Sequence, residues 1–411
     1  MRTKTSSRLP AAFNRLAWSN LAAQLAEQTS LAAAPIVAVL ALGADAGATG
    51  ALQTVQTLPF LLLAIPAGVL ADRMSRPRLM AAAEMLRVAS LIAILVLATL
   101  SLLTLPLLAG LGFIGACGTV AYSVAGPALV PALVPADGLS AANGRIELAR
   151  AAAFAAGPAL GGALVGWGGA SPAFGAAAAL SVCAVALLWG LREPARPAQP
   201  QGSAHLFRDL KDGVVFVFGH RLLRPVFVTQ FVFGMSFFAL LAVYAPYAIR
   251  TLGLSAAGVG TTLAVYGIGM VVGALMGARL IRLLSFGRVV AVGPSMGFAG
   301  ALVMVLTIWM PSPALAALSF FLFGAGPILW VISTTTLRQT VTPQALLGRV
   351  SAINIASYGA RPAGSAVGAV VGSLYGAETC LVVAALGFLV QAVVILASPV
   401  VRLEHQPEHV R

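Results

Sequence analysis

Glu27 has more chemistry to offer than any other residue in this sequence of 411, because it lies near the middle of an apolar run, in Gln24-Leu-Ala-Glu27-Gln28-Thr29. A carboxylate at mid-membrane depth costs roughly 2.5–3.5 kcal/mol on insertion scales, so it is kept for a wet cavity, a cation partner or a transferable proton. Glu27 is therefore the expected site of proton coupling or of contact with a cationic substrate group, and its alternative is a structural hydrogen-bonding role between helices. Glu84 with Arg87, and Glu147 with Arg150, are spaced so that each pair shares one helix face and can neutralise itself. Arg361, followed by Pro362, has no acid within a helical turn of its own run. Its partner must be a carboxylate on another helix, backbone carbonyls freed near the proline, or an anionic group of a substrate. A fixed structural partner is the expectation.

A second constellation is the basic turn Gly68-Val-Leu-Ala-Asp72-Arg73-Met-Ser-Arg76-Pro-Arg78 between two apolar runs. Asp72, Arg73, Arg76 and Arg78 lie so near hydrocarbon that they must pair, cap helix ends or face the side where cations collect. Glu84, one or two turns into the next run, is expected to join the Asp72, Arg73 and Arg76 network rather than to touch substrate. The uncharged polar side chains Gln24, Gln53, Gln56, Tyr122, Gln230, Tyr244, Tyr266 and Trp330, with Ser333 to Thr336, are expected to form a cavity wall suited to a bulky amphipathic ligand. Gly144, Gly157, Pro158, Gly161 and Gly162 supply small residues for close helix approach and a proline for a kink. The sequence has no phosphate-binding loop, no HExxH and no G-x-S-x-G, and none of its 4 histidines falls in a long apolar run. Catalysis is not expected, nor is a cofactor or a metal site. Cys117, Cys183 and Cys380 sit singly in apolar runs and read as packing residues.

The elements that must position these residues are membrane helices. Hydrophobic residues make up 59% of the chain and charged residues 9%, with a mean hydropathy of +0.95. Those values exclude an ordinary soluble globule, in which about a quarter of residues are charged. The runs are too long, and alternate too little, for a membrane β-barrel. A net charge of +13 is spread over short loops, which excludes a nucleic-acid-binding patch. Runs bounded by Gly, Pro or charge give twelve expected spans: 16–42, 49–71, 79–101, 104–133, 144–166, 171–191, 224–249, 256–280, 287–309, 314–339, 350–374 and 379–401. The expected organisation is a tail (1–15), a six-helix bundle (16–191), a polar linker (192–223) holding a surface helix over 205–218, a second six-helix bundle (224–401) and a short tail (402–411). Twenty of the 25 lysines and arginines fall on one side of this arrangement and Arg250 alone on the other. This bias places both termini in the cytoplasm. An internal repeat relates the two bundles: Ser140-Ala-Ala-Asn143 with Arg150, Gly157 and Gly161 recurs 211 residues on as Ser351-Ala-Ile-Asn354 with Arg361, Gly368 and Gly372. Gly68 and Arg73 recur at Gly277 and Arg282, with Ile281 where Asp72 would stand.

The run Gly68 to Arg76 resembles the loop signature between helices 2 and 3 of the major facilitator superfamily of secondary transporters, with Ser75 and Pro77 as departures. The glycines ending in Gly157-Pro158 and Gly161-Gly162 are similar to the helix-5 motif of the superfamily's antiporters, with Ala153 in place of one glycine. The stretch Gly348 to Asn354, followed by Tyr358-Gly-Ala-Arg361-Pro362, resembles exporters of the macrolide and enterobactin efflux type. These resemblances imply an all-α major facilitator fold in two pseudo-symmetric halves. They also imply proton-driven export of a lipophilic small molecule across a bacterial inner membrane by alternating access. The expected partners are that substrate, protons and the bilayer, with no nucleic acid, and the chain acting as a monomer. Unlike many drug:proton antiporters of the superfamily, the chain has no arginine in its fourth span, which moves the coupling role to Glu27. An uptake permease of the same fold and a transport-inactive sensor or scaffold are the rival readings.

Overall fold

The computed structural model describes residues 9–135, 138–191, 193, 206–343, 346, 350, 353 and 357–405, with backbone but not side chains for Ala64, Val69, Asp72, Ser140, 206–210, Ala278, Ile281 and Arg282. Most of the 192–205 linker, the Gly348, Arg349, Ser351 and Asn354 motif positions, and the outermost parts of both tails lie outside the described residues. Every described element is helical: α1 (Ala11–Leu40), α2 (Ala46–Leu62), α3 (Ala64–Arg73), α4 (Arg76–Thr99), α5 (Leu105–Leu133), α6 (Leu139–Gly168), α7 (Ala170–Leu188), α8 (Leu206–Gly219), α9 (Leu223–Arg250), α10 (Ala256–Leu283), α11 (Phe286–Leu306), α12 (Pro313–Val341) and α13 (Ala360–Leu396), with short 3-10 turns before and after α13. Helices satisfy every backbone group within one segment, which apolar sequences of this length require in lipid.

Among the described residues nine helices are long and apolar enough to cross a membrane. The expected twelve are reached only if α1 crosses too, α2 and α3 together make one crossing, and α13 crosses twice. The expected 49–71 span is broken at Leu63, because Pro66 cannot donate to the Leu62 carbonyl and its ring crowds that oxygen. Inside α13, Gly376 has φ 85° and ψ 168°, a conformation open to glycine and strained for other residues. The chain bends there, between the two last expected spans.

The repeat is visible in the backbone. After α1, Leu42 N–H donates to the Val37 carbonyl (3.3 Å) and Ala44 N–H to Ala38 (2.8 Å); after α9, Leu252 donates to Tyr247 (3.2 Å) and Leu254 to Ala248 (2.9 Å). Asp45 then caps α2 and Ser255 caps α10 through their side chains. Both turns therefore use the same hydrogen bonds to reverse the chain.

Buried side chains divide into three groups. One spans both halves at the end away from the basic loops, and includes Ile36, Ala44, Phe174, Tyr247, Ala256, Phe320 and Phe388. At the basic-loop end the halves have separate cores, Phe13, Leu16, Val130 and Leu188 in the first, and Val217, Val226, Val341 and Val400 in the second. Val217 ties α8 to the second half, and His220 Nδ1 accepts from the amides of Leu222 and Leu223 at the start of α9. Four of the 5 tryptophans are mostly exposed. Trp18 and Trp189 ring the basic-loop end, and Trp167 and Trp309 the other, the positions tryptophan favours at membrane–water boundaries.

Candidate functional site

The polar centre of the first half forms around Arg87 on α4. Its Nη1 lies 2.8 Å from Glu84 Oε1 and its Nη2 lies 3.8 Å from Glu27 Oε2 on α1. Nη1 also donates to the Ala23 carbonyl (3.1 Å) and Nη2 to Thr119 Oγ1 on α5 (2.6 Å). Glu84 is fully buried and Arg87 nearly so. The spacing of Glu84 and Arg87 was enough to foresee their pairing, whereas Thr119 and the Glu27 contact come from other helices and carry no local signal. The expectation that Glu84 joins Asp72, Arg73 and Arg76 is corrected: it belongs to the Glu27–Arg87 centre, deeper along α4.

The loop charges are engaged elsewhere. Arg76 Nη1 binds Glu193 Oε1 at 3.3 Å and donates to the Ala128 carbonyl at 2.6 Å, while its amide donates to Glu193 Oε2 at 3.0 Å. Glu193, just past α7, was missed because it falls in what read as a featureless linker. Arg73 and Arg78 are exposed, Gly68 has open space where a Cβ would project, and the Asp72 side chain lies outside the described residues. The main neighbours of α3 are α2, α4 and α5, all in the first half.

Arg361 occupies the first turn of α13 at the boundary between halves. Its guanidinium lies 4.5 Å from the ring centroid of Phe60 on α2, 4.6 Å from Tyr358 and 5.5 Å from Phe238 on α9. Among the described residues it makes no ion pair, and its neighbours are three ring faces rather than a carboxylate. Phe60, Phe238 and the ring role of Tyr358 were not foreseen, since aromatic residues read equally well as packing. Arg150, the repeat counterpart of Arg361, binds Glu147 Oε2 at 2.6 Å and lies over Phe154. Phe154 packs on Tyr266 of α10 with centroids 5.7 Å apart.

Several residues expected on a cavity wall are packed instead. Tyr244 is buried, hydrogen-bonded to Thr262 at 2.6 Å and edge-on to Phe320. Tyr122 is buried with its hydroxyl 3.3 Å from Ser19 Oγ, Trp330 lies in the core of the second half, and Gln56 is buried against Gly112. Ser333 and Thr334 are buried and return their hydroxyls to carbonyls one turn back on α12, while Thr335 and Thr336 stay partly exposed. Arg338 lies in the last turn of α12 and donates to Thr335. Gln24, Gln53 and Tyr266 remain partly exposed near the half boundary, and Gln230 donates to Ser357 at 2.8 Å.

The glycines of α6 serve two neighbours. A Cβ on Gly157 would lie 2.4 Å from Gln28 and one on Gly161 2.6 Å from the Thr29 carbonyl, both on α1. One on Gly162 would lie 2.5 Å from the Ala256 carbonyl, and one on Gly260 of α10 would lie 2.4 Å from the Pro158 carbonyl. Gly144 has open space instead. Small residues thus let α6 approach α1 within its half and α10 across the boundary.

A helical chain in two repeated halves has counterparts among known transporters. The family model described as transmembrane secretion effector matches residues 11–410. The chain belongs to that family of major facilitator transporters. Members are transporters and not enzymes, and this chain is a membrane-embedded exporter of that type. An enterobactin exporter of Citrobacter koseri is 31% identical over 291 residues, covering 70% of this chain and 67% of its own. The Escherichia coli O1:K1 enterobactin exporter is 29% identical over the same length and coverage. Among solved structures, the nucleoside transporter NupG has a TM-score of 0.74 at 13% identity, covering 94% of this chain and 99% of its own. A bacterial homologue of the iron transporter ferroportin in an inward-facing state has a TM-score of 0.73 at 16% identity, covering 94% of this chain and 98% of its own. At those identities the structures share the fold alone.

Proposed function

We propose that this exporter moves a lipophilic small molecule outward across a bacterial inner membrane in exchange for protons, as a monomer with both termini in the cytoplasm. The observation that carries this reading is Glu27, an acid within the helical core that pairs with Arg87 of its own half, on a helix that also touches α9 and α10 of the other. A proton on Glu27 changes the charge balance of the half boundary, and a rocking motion of the halves exposes that boundary to each side in turn. The enterobactin exporters among its relatives support the outward direction. With the basic loops in the cytoplasm, the core shared by both halves lies at the outer end, which corresponds to an inward-facing state. The loop residues Asp72, Arg73 and Arg76 then act in the opposite state, when the cytoplasmic ends come together.

The test is purified protein in liposomes under an imposed pH gradient, following a lipophilic dye. Gradient-driven flux in the wild type, reduced at least tenfold by Glu27→Gln at normal folding, is the expected result. Flux that ignores the gradient, or survives the substitution unchanged, removes proton coupling at Glu27 from the proposal.

A further inference from the structure

The two halves treat their repeat-related arginines differently. In the first half Arg150 is neutralised by Glu147, three residues earlier on α6. The position 211 residues on from Glu147 is Tyr358, so in the second half the acid has become a ring whose face lies 4.6 Å from the guanidinium of Arg361. Nothing else in that half restores the balance. Between Arg224 and Val401 the sequence holds a single acid, Glu378, which lies beyond the Gly376 bend, roughly 25 Å along the helix from Arg361. Arg338 on α12 adds a second cation to the same region, lining a small cavity with Gln230, whose side chain donates to Ser357 next to Tyr358.

The cage does not account for itself as a stability device. A cation in the first turn of a helix opposes the macrodipole, which is positive there. Partial exposure at the boundary of two moving halves also keeps a cation–π contact near the low end of its range, about 0.5–1 kcal/mol. What the rings do is hold the guanidinium at a fixed place. Phe60 comes from the first half and Phe238 and Tyr358 from the second, so a ligand in this place touches both halves at once.

Resting on the export reading above and naming its substrate class, we propose that Arg361 receives an anionic group of the transported molecule, an aromatic or otherwise apolar acid whose body lies among Phe60, Phe238 and Tyr358. A guanidinium binds a carboxylate or a similar oxyanion through paired, charge-assisted hydrogen bonds, and the surrounding rings accept the apolar remainder by stacking.

The test uses the full chain in lipid nanodiscs and two probes of equal shape, 2-naphthoate and its neutral amide, with binding read by equilibrium dialysis. The wild type is expected to bind the acid roughly tenfold or more tightly than the amide. Arg361→Gln should remove that preference, with an unchanged circular-dichroism melting profile certifying the fold, and Arg361→Lys should keep part of it. Tyr358→Glu, which reinstates the acid of the first repeat, should remove the preference with Arg361 still present. Equal binding of the two probes by the wild type, binding of neither, or a preference that survives both Arg361→Gln and Tyr358→Glu overturns the proposal. Gradient-driven flux of a neutral dye in the same preparations separates the two readings. Flux without an acid preference sinks this inference alone, whereas an acid preference without gradient-driven flux sinks proton-coupled export alone.

Discussion

At the scale of single residues, Arg87 is the most constrained side chain of the first half, since two carboxylates, a carbonyl and a hydroxyl converge on it. Removing it leaves Glu84 and Glu27 as neighbouring buried acids with no cation between them. Arg87→Met is therefore expected to destabilise the protein by about 3–5 kcal/mol, the range for breaking a buried pair from one side. Glu84→Gln, which leaves Arg87 its contact with Glu27, should cost clearly less. Denaturant unfolding of the two variants in mild detergent checks the order, and equal losses would mean that Arg87 is not the centre of the cluster. Sequence spacing was sufficient for Glu84–Arg87 and Glu147–Arg150, because helix geometry brings such neighbours together whatever else the chain does. It was silent on Glu27–Arg87 and Arg76–Glu193, which only tertiary packing creates. Tyr244 and Trp330 misled for a different reason: a polar tip does not force an aromatic into a cavity when Thr262, or the room beside it in a core, can take the tip instead.

At the scale of elements, α6 is the helix on which both kinds of contact depend. Adding a methyl at Gly161 pushes against α1, inside one half, whereas adding one at Gly162 or Gly260 pushes against the partner across the boundary. Gly161→Ala is expected to lower stability by roughly 1–3 kcal/mol, as overpacking does, without changing which end of the molecule is closed. Gly162→Ala and Gly260→Ala should instead part the outer ends of α6 and α10. Distances between spin labels on those ends distinguish the cases, and an unchanged distance in Gly162→Ala would show that the close approach is not what holds the end shut. The glycine spacing in α6 was legible as a close-packing motif. Which glycine faced which partner was not, because successive small residues on a helix point in different directions. Helix ends behaved similarly. Pro66 breaks the second run within a stretch whose apolar length reads as one span.

At the scale of the whole molecule, the closed end is fastened at Arg250, the lone basic residue of that face, whose Nη2 donates to the carbonyls of Gly43 (3.4 Å) and Ala44 (2.8 Å) where α1 ends. The contact joins the two halves. Because it is partly exposed, Arg250→Gln is expected to shift the balance toward opening of that end by roughly 1 kcal/mol, about fivefold in population. Thr49→Cys in a background without other cysteines reports it, since Thr49 is 1% exposed while the end is closed. Faster reaction with a membrane-impermeant maleimide is the expected result, and an unchanged rate would assign Arg250 to topology alone. The bias of basic residues toward one side and the two-fold repeat were both readable in the sequence. The state of the molecule was not, because it depends on contacts between halves that either state can satisfy. The shortest of the nine apolar helices, α7, has 19 residues between the exposed Trp167 and Trp189, or about 28 Å of rise. That length is a gauge for lipid: where acyl chains reach further than the helix, tilting would only shorten its span, so the surrounding chains must shorten to meet it.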